Sequence, residues 1–223
     1  MLELGIDDAG RGPVIGPMIL SGVLIDNKTS TEFRKLGVKD SKQLTPKRRE
    51  FLAKTIKEKT ETFETVIISP EEIDGLNKKG VKLNEVEAFA CAKIINKINK
   101  GYGKIRVIVD CPSTSIIKWQ DFLKTKIKNL SNLEVLCQHK ADRNHVSVSA
   151  ASIIAKSTRE KEMEKLKKVY GKEMGSGYTS DPRTTSFLKK NIKKHNDKGI
   201  FRKSWATWKN AVATSKQKKL GEF

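Results

Sequence analysis

Apolar positions in the first 25 residues follow the period of extended chain. Residues 2–8 and 14–25 are β-rich runs separated by a glycine turn, the second broken by Gly16, Pro17 and Gly22. A hairpin is the expected opening of the fold. The period then lengthens. In VKDSKQLTPKRREFLAKTIKEK, Thr45 suits a helix N-cap and Pro46 the first helical position, with Phe51, Leu52 and Ile56 as the buried stripe. A strand is predicted over 65–69, and a helix over 84–98 carried by Val86, Phe89, Ala90, Ile94 and Ile98. Residues 105–109 form a short apolar run closed by Asp110 and the strand-stopping Cys111-Pro112-Ser113. Ile116, Trp119, Leu123, Ile127 and Leu130 predict another helix, and 134–137 another strand, running into HKAD. From Val146, VSVSAASIIAKSTREKEMEKLKKVYG reads as one long helix whose first turns are Ser and Ala, small enough to lie close against a sheet. GSGYTSDP (175–182) is a loop, followed by basic helices over 184–194 and 204–216, the latter carrying Trp205 and Trp208.

Strand–helix–strand alternation predicts an α/β fold with parallel strands, whose sites lie beyond the carboxyl ends of those strands. Four carboxylates occupy such places: Asp7, Asp8, Asp110 and, just past the last strand, Asp142. If they converge, their mutual repulsion calls for protons or divalent cations, and all-oxygen ligation suits Mg²⁺. Two cations bridging a phosphodiester would activate water and stabilise the leaving oxygen. The alternative for Asp7 and Asp8 taken alone is a tight turn with two solvated aspartates.

Charge narrows the partner. The 223 residues carry 45 Lys+Arg against 26 Asp+Glu, a formal charge of +19, with a pI near 9.8. This favours a polyanion, nucleic acid first among them. The basic excess is 12 in residues 156–223 and 7 in residues 1–155, which makes the C-terminal third the stronger electrostatic footprint. Cys91, Cys111 and Cys137 are widely spaced and lack a CxxC, so they read as buried small hydrophobes rather than a disulfide framework or zinc site. No window approaches a membrane span and the first residues lack a signal-peptide pattern, so a cytoplasmic location is expected.

GIDDAGRGPVIGP, DSKQLTPKRRE, the Asp110 strand end, HKAD with VSVSAASIIAK, and GSGYTSDPRT occur in the order found in the type 2 ribonucleases H, and through most of residues 3–208 the chain resembles that family in its archaeal form. The resemblance implies a ribonuclease H-like mixed five-stranded sheet flanked by helices. On this reading residues 1–172 form the catalytic domain, 173–216 a small C-terminal helical part and 217–223 a tail. It implies a monomeric endonuclease that hydrolyses the RNA strand of RNA/DNA hybrids and cuts on the 5′ side of single ribonucleotides in duplex DNA. Mg²⁺ or Mn²⁺ would serve as cofactor, the products would carry 5′-phosphate and 3′-hydroxyl ends, and the role would be removal of misincorporated ribonucleotides and RNA primers.

Carried over by position, Asp7, Asp8, Asp110 and Asp142 take the metal-binding catalytic roles. The family normally has Glu where this chain has Asp8, so the carboxylate reaches about 1.5 Å less far. Gly10, Arg11 and Gly12 match the turn that reads the 2′-hydroxyl, Tyr178 the aromatic that stacks on the following deoxyribose, and Ser41 and Lys42 match phosphate contacts. Without the family match, Tyr178 would read as a loop anchor. Lys140 and Arg143 flank Asp142, with Arg143 better explained as solvated charge. The chain also departs from the family at RNHVSVSAAS, where an aromatic-proline pair is more usual. His145 there reads as structural or surface, His139 is a slightly better candidate for proton transfer, and His195 is expected to face solvent. Trp205 and Trp208 read as core. Gln217, Leu220 and Phe223 resemble the sliding-clamp-binding peptide, in which one helical turn brings the two apolar side chains together as a plug. A junction resolvase on the same sheet would share the carboxylates without needing the Gly-Arg-Gly turn or Tyr178. A non-catalytic nucleic-acid-binding module would explain the charge but not the carboxylates.

Overall fold

The protein is described by a computed structural model covering residues 1–39 and 44–220, the side chains of 216–220 excepted. Two compact units are interleaved along the chain. One comprises Met1–Ala9, Ile19–Ile67 and Lys82–Thr158, the other Gly10–Met18, Ile68–Val81 and Arg159–Phe223.

The first unit is built on a five-stranded sheet in the order β3-β2-β1-β4-β5. Strands β1 (Leu2–Ala9) and β2 (Met18–Ile25) run antiparallel, Glu3 facing Ile25 and Ala9 facing Ile19. Strand β4 (Ile105–Asp110) lies parallel to β1, and β5 (Leu133–Gln138) parallel to β4. Strand β3 (Thr62–Ile68) flanks β2. This is the mixed five-stranded sheet that the sequence leads one to expect. The second strand nevertheless begins at Met18 rather than Val14, because Val14–Pro17 is drawn into the other unit, where Ile15 bridges Phe201.

Helices α1 (Asn27–Lys35) and α2 (Pro46–Lys59) pack on one side of this sheet, their Phe33, Leu52 and Ile56 forming a core with Val23, Ile25, Ile153 and Ile154. Thr45 caps α2 as expected. Helix α1 has an Asp26 cap but a weak apolar stripe, with Phe33 its one buried residue, and so escaped the periodicity. In the second unit, α3 (Pro70–Lys78) carries a complete Ser69/Glu72 capping box and was equally invisible to it. Helix α4 (Leu83–Ile98) and α5 (Ile116–Lys124) complete the first unit with α6 (Ala141–Asn144) and the opening of α7 (Val146–Tyr170).

Several expected core positions are exposed. Phe51 is 52% and Phe89 38% exposed. Phe51 lies under the Arg48 guanidinium, whereas Phe89 sits against Phe122 with Lys126 over both rings. Helix α5 stops at Lys124, so Ile127 and Leu130 lie beyond its end, where Ile127 is buried as expected but Leu130 is 40% exposed. All three cysteines are buried and free, as expected.

The second unit holds α3, the later turns of α7, α8 (Pro182–Asn191) and α9 (Ala206–Leu220) around Val14, Ile15, Met174, Phe187, Phe201 and Trp208. Trp208 is buried and Trp205 half-buried beside it, in line with the core reading. His195 departs from its expected solvent position: its ring meets Tyr170 edge-on at 5.1 Å and stacks on Phe187 at 6.0 Å. The buried Asp74 accepts from the N–H groups of Lys203 (2.7 Å) and Ser204 (2.9 Å) and from the Ser204 hydroxyl (2.6 Å). Three donors offset the cost of burying that carboxylate and hold the Arg202–Trp205 segment.

Candidate active site

The close fit of α7 on the sheet positions the carboxylates. Gly5 faces the backbone of that helix so tightly that a Cβ would stand 2.1 Å from the Ser147 carbonyl carbon and 2.2 Å from the Val148 nitrogen. Two residues on, Asp7 emerges on the same face of β1 and bonds Ser152 of α7. Ile6 pairs with Val109, so Asp7 and Asp110 follow side by side at the carboxyl ends of two parallel strands. Asp110 Oδ1 accepts from the Ala141 N–H at 3.0 Å, which fixes the start of α6 and places Asp142 in its first turn. That return requires Lys140 at φ 57°, the one positive-φ residue other than glycine among those described, a conformation that costs on the order of 1 kcal/mol. The Ser149 hydroxyl donates to the Asp142 carbonyl.

Asp7, Asp8 and Asp110 line a small cavity with Glu87, Cys91, Pro112 and Trp119. The sequence reading missed Glu87, which is 2% exposed on α4. The available signal was an acidic residue four before Cys91 and seven before Ile94, on the helix face that packs inward. Burial, then the Asp8 charge, then the Asp110 charge drive the Asp7 carboxyl well above the usual carboxylate range, against the Ser152 and Asp8 N–H hydrogen bonds. Burial likewise raises the Cys91 thiol and pushes Cys137 up to about 12, so neither supplies a thiolate at neutral pH.

Among the described residues no three His, Cys, Asp or Glu side chains form a ready-made metal cage. The fit to a divalent cation therefore lies in donor chemistry and charge. The oxygen donors are crowded enough to raise the Asp7 carboxyl well above its ordinary range, and a divalent cation would offset that charge. Each nearby histidine is held through one ring nitrogen: His139 Nδ1 lies 3.1 Å from the Cys111 carbonyl oxygen, and His145 Nε2 lies 3.1 Å from Gln138 Oε1.

The Gly-Arg-Gly turn and Tyr178 fall together in the second unit. The Gly177 carbonyl accepts from the Val14 and Ile15 N–H groups at 3.0 and 3.3 Å. Arg159, which the sequence reading passed over, donates to the carbonyls of Pro17 (2.7 Å), Ile15 (3.4 Å) and Ser176 (3.3 Å) while its guanidinium covers the Tyr178 ring at 5.5 Å. The ring remains 39% exposed. Gly10 adopts φ +80°, and a Cβ there would strike Arg159 at 2.5 Å, whereas a Cβ on Gly12 would meet nothing within 4 Å. Packing thus requires glycine at 10 but gives no reason for it at 12.

The sequence pattern of ribonuclease HII matches residues 4–208. The chain belongs to the ribonuclease HII family. It is 43% identical over 223 residues to the ribonuclease HII of Methanococcus maripaludis strain C6, covering 99% of this chain and 91% of that one. Against the Methanocaldococcus jannaschii ribonuclease HII it is 41% identical, covering 99% of both. The solved ribonuclease H2 of Pyrococcus horikoshii superposes with a TM-score of 0.84 at 38% identity, over 95% of this chain and 97% of that one. The ribonuclease HII of Archaeoglobus fulgidus, solved in complex with PCNA, gives 0.81 at 38% identity over 94% and 96%. As a member of this family, the chain is a ribonuclease H-type hydrolase acting on RNA/DNA substrates. No helix among the described residues is long and apolar enough to cross a membrane. Ser41, Lys42 and Phe223 lie outside the described residues, and Gln217 and Leu220 are described only as backbone at the end of α9.

Proposed function

We propose that this protein cuts on the 5′ side of a ribonucleotide within duplex DNA and along the RNA strand of hybrids, leaving 5′-phosphate and 3′-hydroxyl ends. The crowding of Asp7 against Asp8 and Asp110 carries this reading: it leaves the site in need of positive charge. Asp7, Asp8, Asp110 and Asp142 would hold one or two divalent cations, Mg²⁺ or Mn²⁺, which supply charge stabilisation for the phosphate and a more acidic water. Asp7 and Asp110, at the ends of adjacent parallel strands, would supply ligands side by side, and Asp142 would join them through the α6 turn that Asp110 itself anchors. The Gly10–Gly12 turn would meet the 2′-hydroxyl, which separates RNA from DNA. The unobstructed Gly12 supports this, since nothing within the protein calls for a missing Cβ there. Tyr178 would stack on the neighbouring deoxyribose, Ser41 and Lys42 would contact phosphates, and the enzyme would act as a monomer in removing misincorporated ribonucleotides and RNA primers. Gln217, Leu220 and Phe223 would engage a sliding clamp, a reading that the complex formed by the Archaeoglobus relative supports.

The test is a DNA duplex carrying one ribonucleotide, with an all-DNA control, in Mg²⁺, Mn²⁺ or EDTA. The expected result is a nick 5′ to the ribonucleotide, abolished by EDTA and absent from the control. Binding without cleavage in either metal would overturn it.

Asp8 makes metal choice a separate question. Its shorter reach loosens ligation, and Mn²⁺ tolerates looser geometry than Mg²⁺. Asp8→Glu is expected to raise the Mg²⁺-supported rate by on the order of tenfold and lower the Mn²⁺/Mg²⁺ rate ratio. An unchanged rate and ratio would show that the missing methylene has no functional effect.

A further inference from the structure

We infer that Arg202 and Trp205 are positioning residues for ribonucleotide recognition, acting through the Gly10–Gly12 turn; this rests on the reading that the turn meets the 2′-hydroxyl. Arg202 is fully buried, and its guanidinium donates to three carbonyls of one loop: Gly10 (2.6 Å), Arg11 (2.7 Å) and Gly16 (3.1 Å). The indole N–H of Trp205 donates to a fourth, Gly12, at 3.2 Å. The two side chains brace each other, the guanidinium lying 5.0 Å from the centre of the indole ring. Backbone bonds close the clamp: Arg202 N–H to the Val14 carbonyl and Gly16 N–H to the Ile200 carbonyl, both at 2.9 Å. Asp74 in turn holds the Lys203 and Ser204 N–H groups, so the clamping segment is fixed from behind.

Peptide geometry gives the clamp its functional meaning. In a trans peptide the C=O of one residue and the N–H of the next point in opposite directions. Pulling the Gly10 and Arg11 carbonyls onto Arg202 therefore turns the Arg11 and Gly12 N–H groups to the side away from it. The Gly12 carbonyl, pulled onto Trp205, is followed by Pro13, which has no N–H to present. The carbonyls, which would repel a hydroxyl oxygen or a phosphate, face inward, and the donors face outward. A guanidinium behind the loop also favours this polarity, because a positive charge stabilises carbonyl dipoles aimed at it. A turn of two glycines around one arginine is otherwise among the least constrained stretches a chain can have. The clamp makes it a preorganised donor pair, and glycine at 12 leaves the approach open.

The experiment measures equilibrium binding in EDTA, so that metal chemistry does not enter, of a duplex with one embedded ribonucleotide and of the same duplex in DNA. Wild type is compared with Trp205→Phe, which keeps an aromatic face but loses the indole N–H, and with Arg202→Lys, which keeps the charge but not the fork. Thermal unfolding establishes that each variant is folded. The expected result for Trp205→Phe is a ribonucleotide-over-DNA preference reduced by about three- to tenfold, the worth of one oriented hydrogen bond, with all-DNA affinity unchanged. Arg202→Lys, if folded, is expected to reduce the preference further. Wild-type preference in folded Trp205→Phe would overturn the clamp alone. Absence of any preference in the wild type would instead overturn the recognition role of the turn, and the clamp with it.

Discussion

Asp7→Asn is expected to abolish hydrolysis, by a factor on the order of a thousand or more, while making the metal-free protein more stable. Loss of activity follows from removing one of the two carboxylates that stand side by side at the ends of β1 and β4. Gain of stability follows from the charge that Asn removes. Burial and the charges of Asp8 and Asp110 raise the Asp7 carboxyl well above its ordinary range. Between the unfolded and the raised folded pKa the native state binds more protons than the unfolded state, so stability falls as pH rises through that window. Asn, which cannot ionise, escapes the loss: its advantage is largest at neutral pH and disappears as pH falls below the unfolded carboxylate range. About 1–3 kcal/mol is expected at neutral pH, or roughly 2–4 °C in Tm for each kcal/mol. Thermal unfolding in EDTA at a series of pH values, with and without added Mg²⁺ or Mn²⁺, measures both effects. The wild type should gain stability from metal at neutral pH and the variant should not. A variant less stable than wild type at neutral pH would show that the Ser152 and Asp8 N–H bonds outweigh burial and repulsion.

Gly5→Ala is expected to destabilise the protein by about 3 kcal/mol or more, at the upper end of overpacking effects. The added carbon would overlap three backbone atoms, the Ser147 carbonyl carbon and oxygen at 2.1 and 2.5 Å and the Val148 nitrogen at 2.2 Å. Flexible side chains give way to a new methyl group; the backbone of a packed helix does not. Relief requires α7 to lift from β1, which also moves Ser152 from Asp7. A fall in Tm of roughly 6–12 °C is expected for a protein of this length, with activity reduced even where the variant remains folded. Gly12→Ala provides the contrast, since its Cβ meets nothing and Tm should stay within about 1 °C of wild type. Equal melting temperatures for Gly5→Ala and Gly12→Ala would refute the close sheet–helix approach.

The two variants show where legibility in the sequence ended. A turn of small residues at the start of a helix announces close packing, and Ser147 to Ala151 announce it here. Which glycine of the sheet receives the helix is a matter of register, and register comes from pairing. Phe51 and Phe89 show the same limit: each fits a three- and four-residue apolar step, yet each lies at the edge of its helix's buried face, beside a cation that covers the ring. Periodicity gives the direction of a stripe, not its width. Glu87 was hidden by the reverse effect, a charged side chain carried inward on an apolar face.

By itself the sequence determined the strand-end carboxylates, the α/β alternation, the helix cap at Thr45, and the ordered motifs of the ribonuclease HII family, because these depend on local chemistry and short spacings. Tertiary structure alone decided that residues 10–17 leave the sheet to join a segment about 190 positions later, that Asp7 is driven toward its protonated form, and that Arg202 grips the carbonyls of a loop so distant in sequence. Burial, charge crowding and hydrogen bonds across such separations arise only when the chain has folded, and no periodicity or spacing along it encodes their partners.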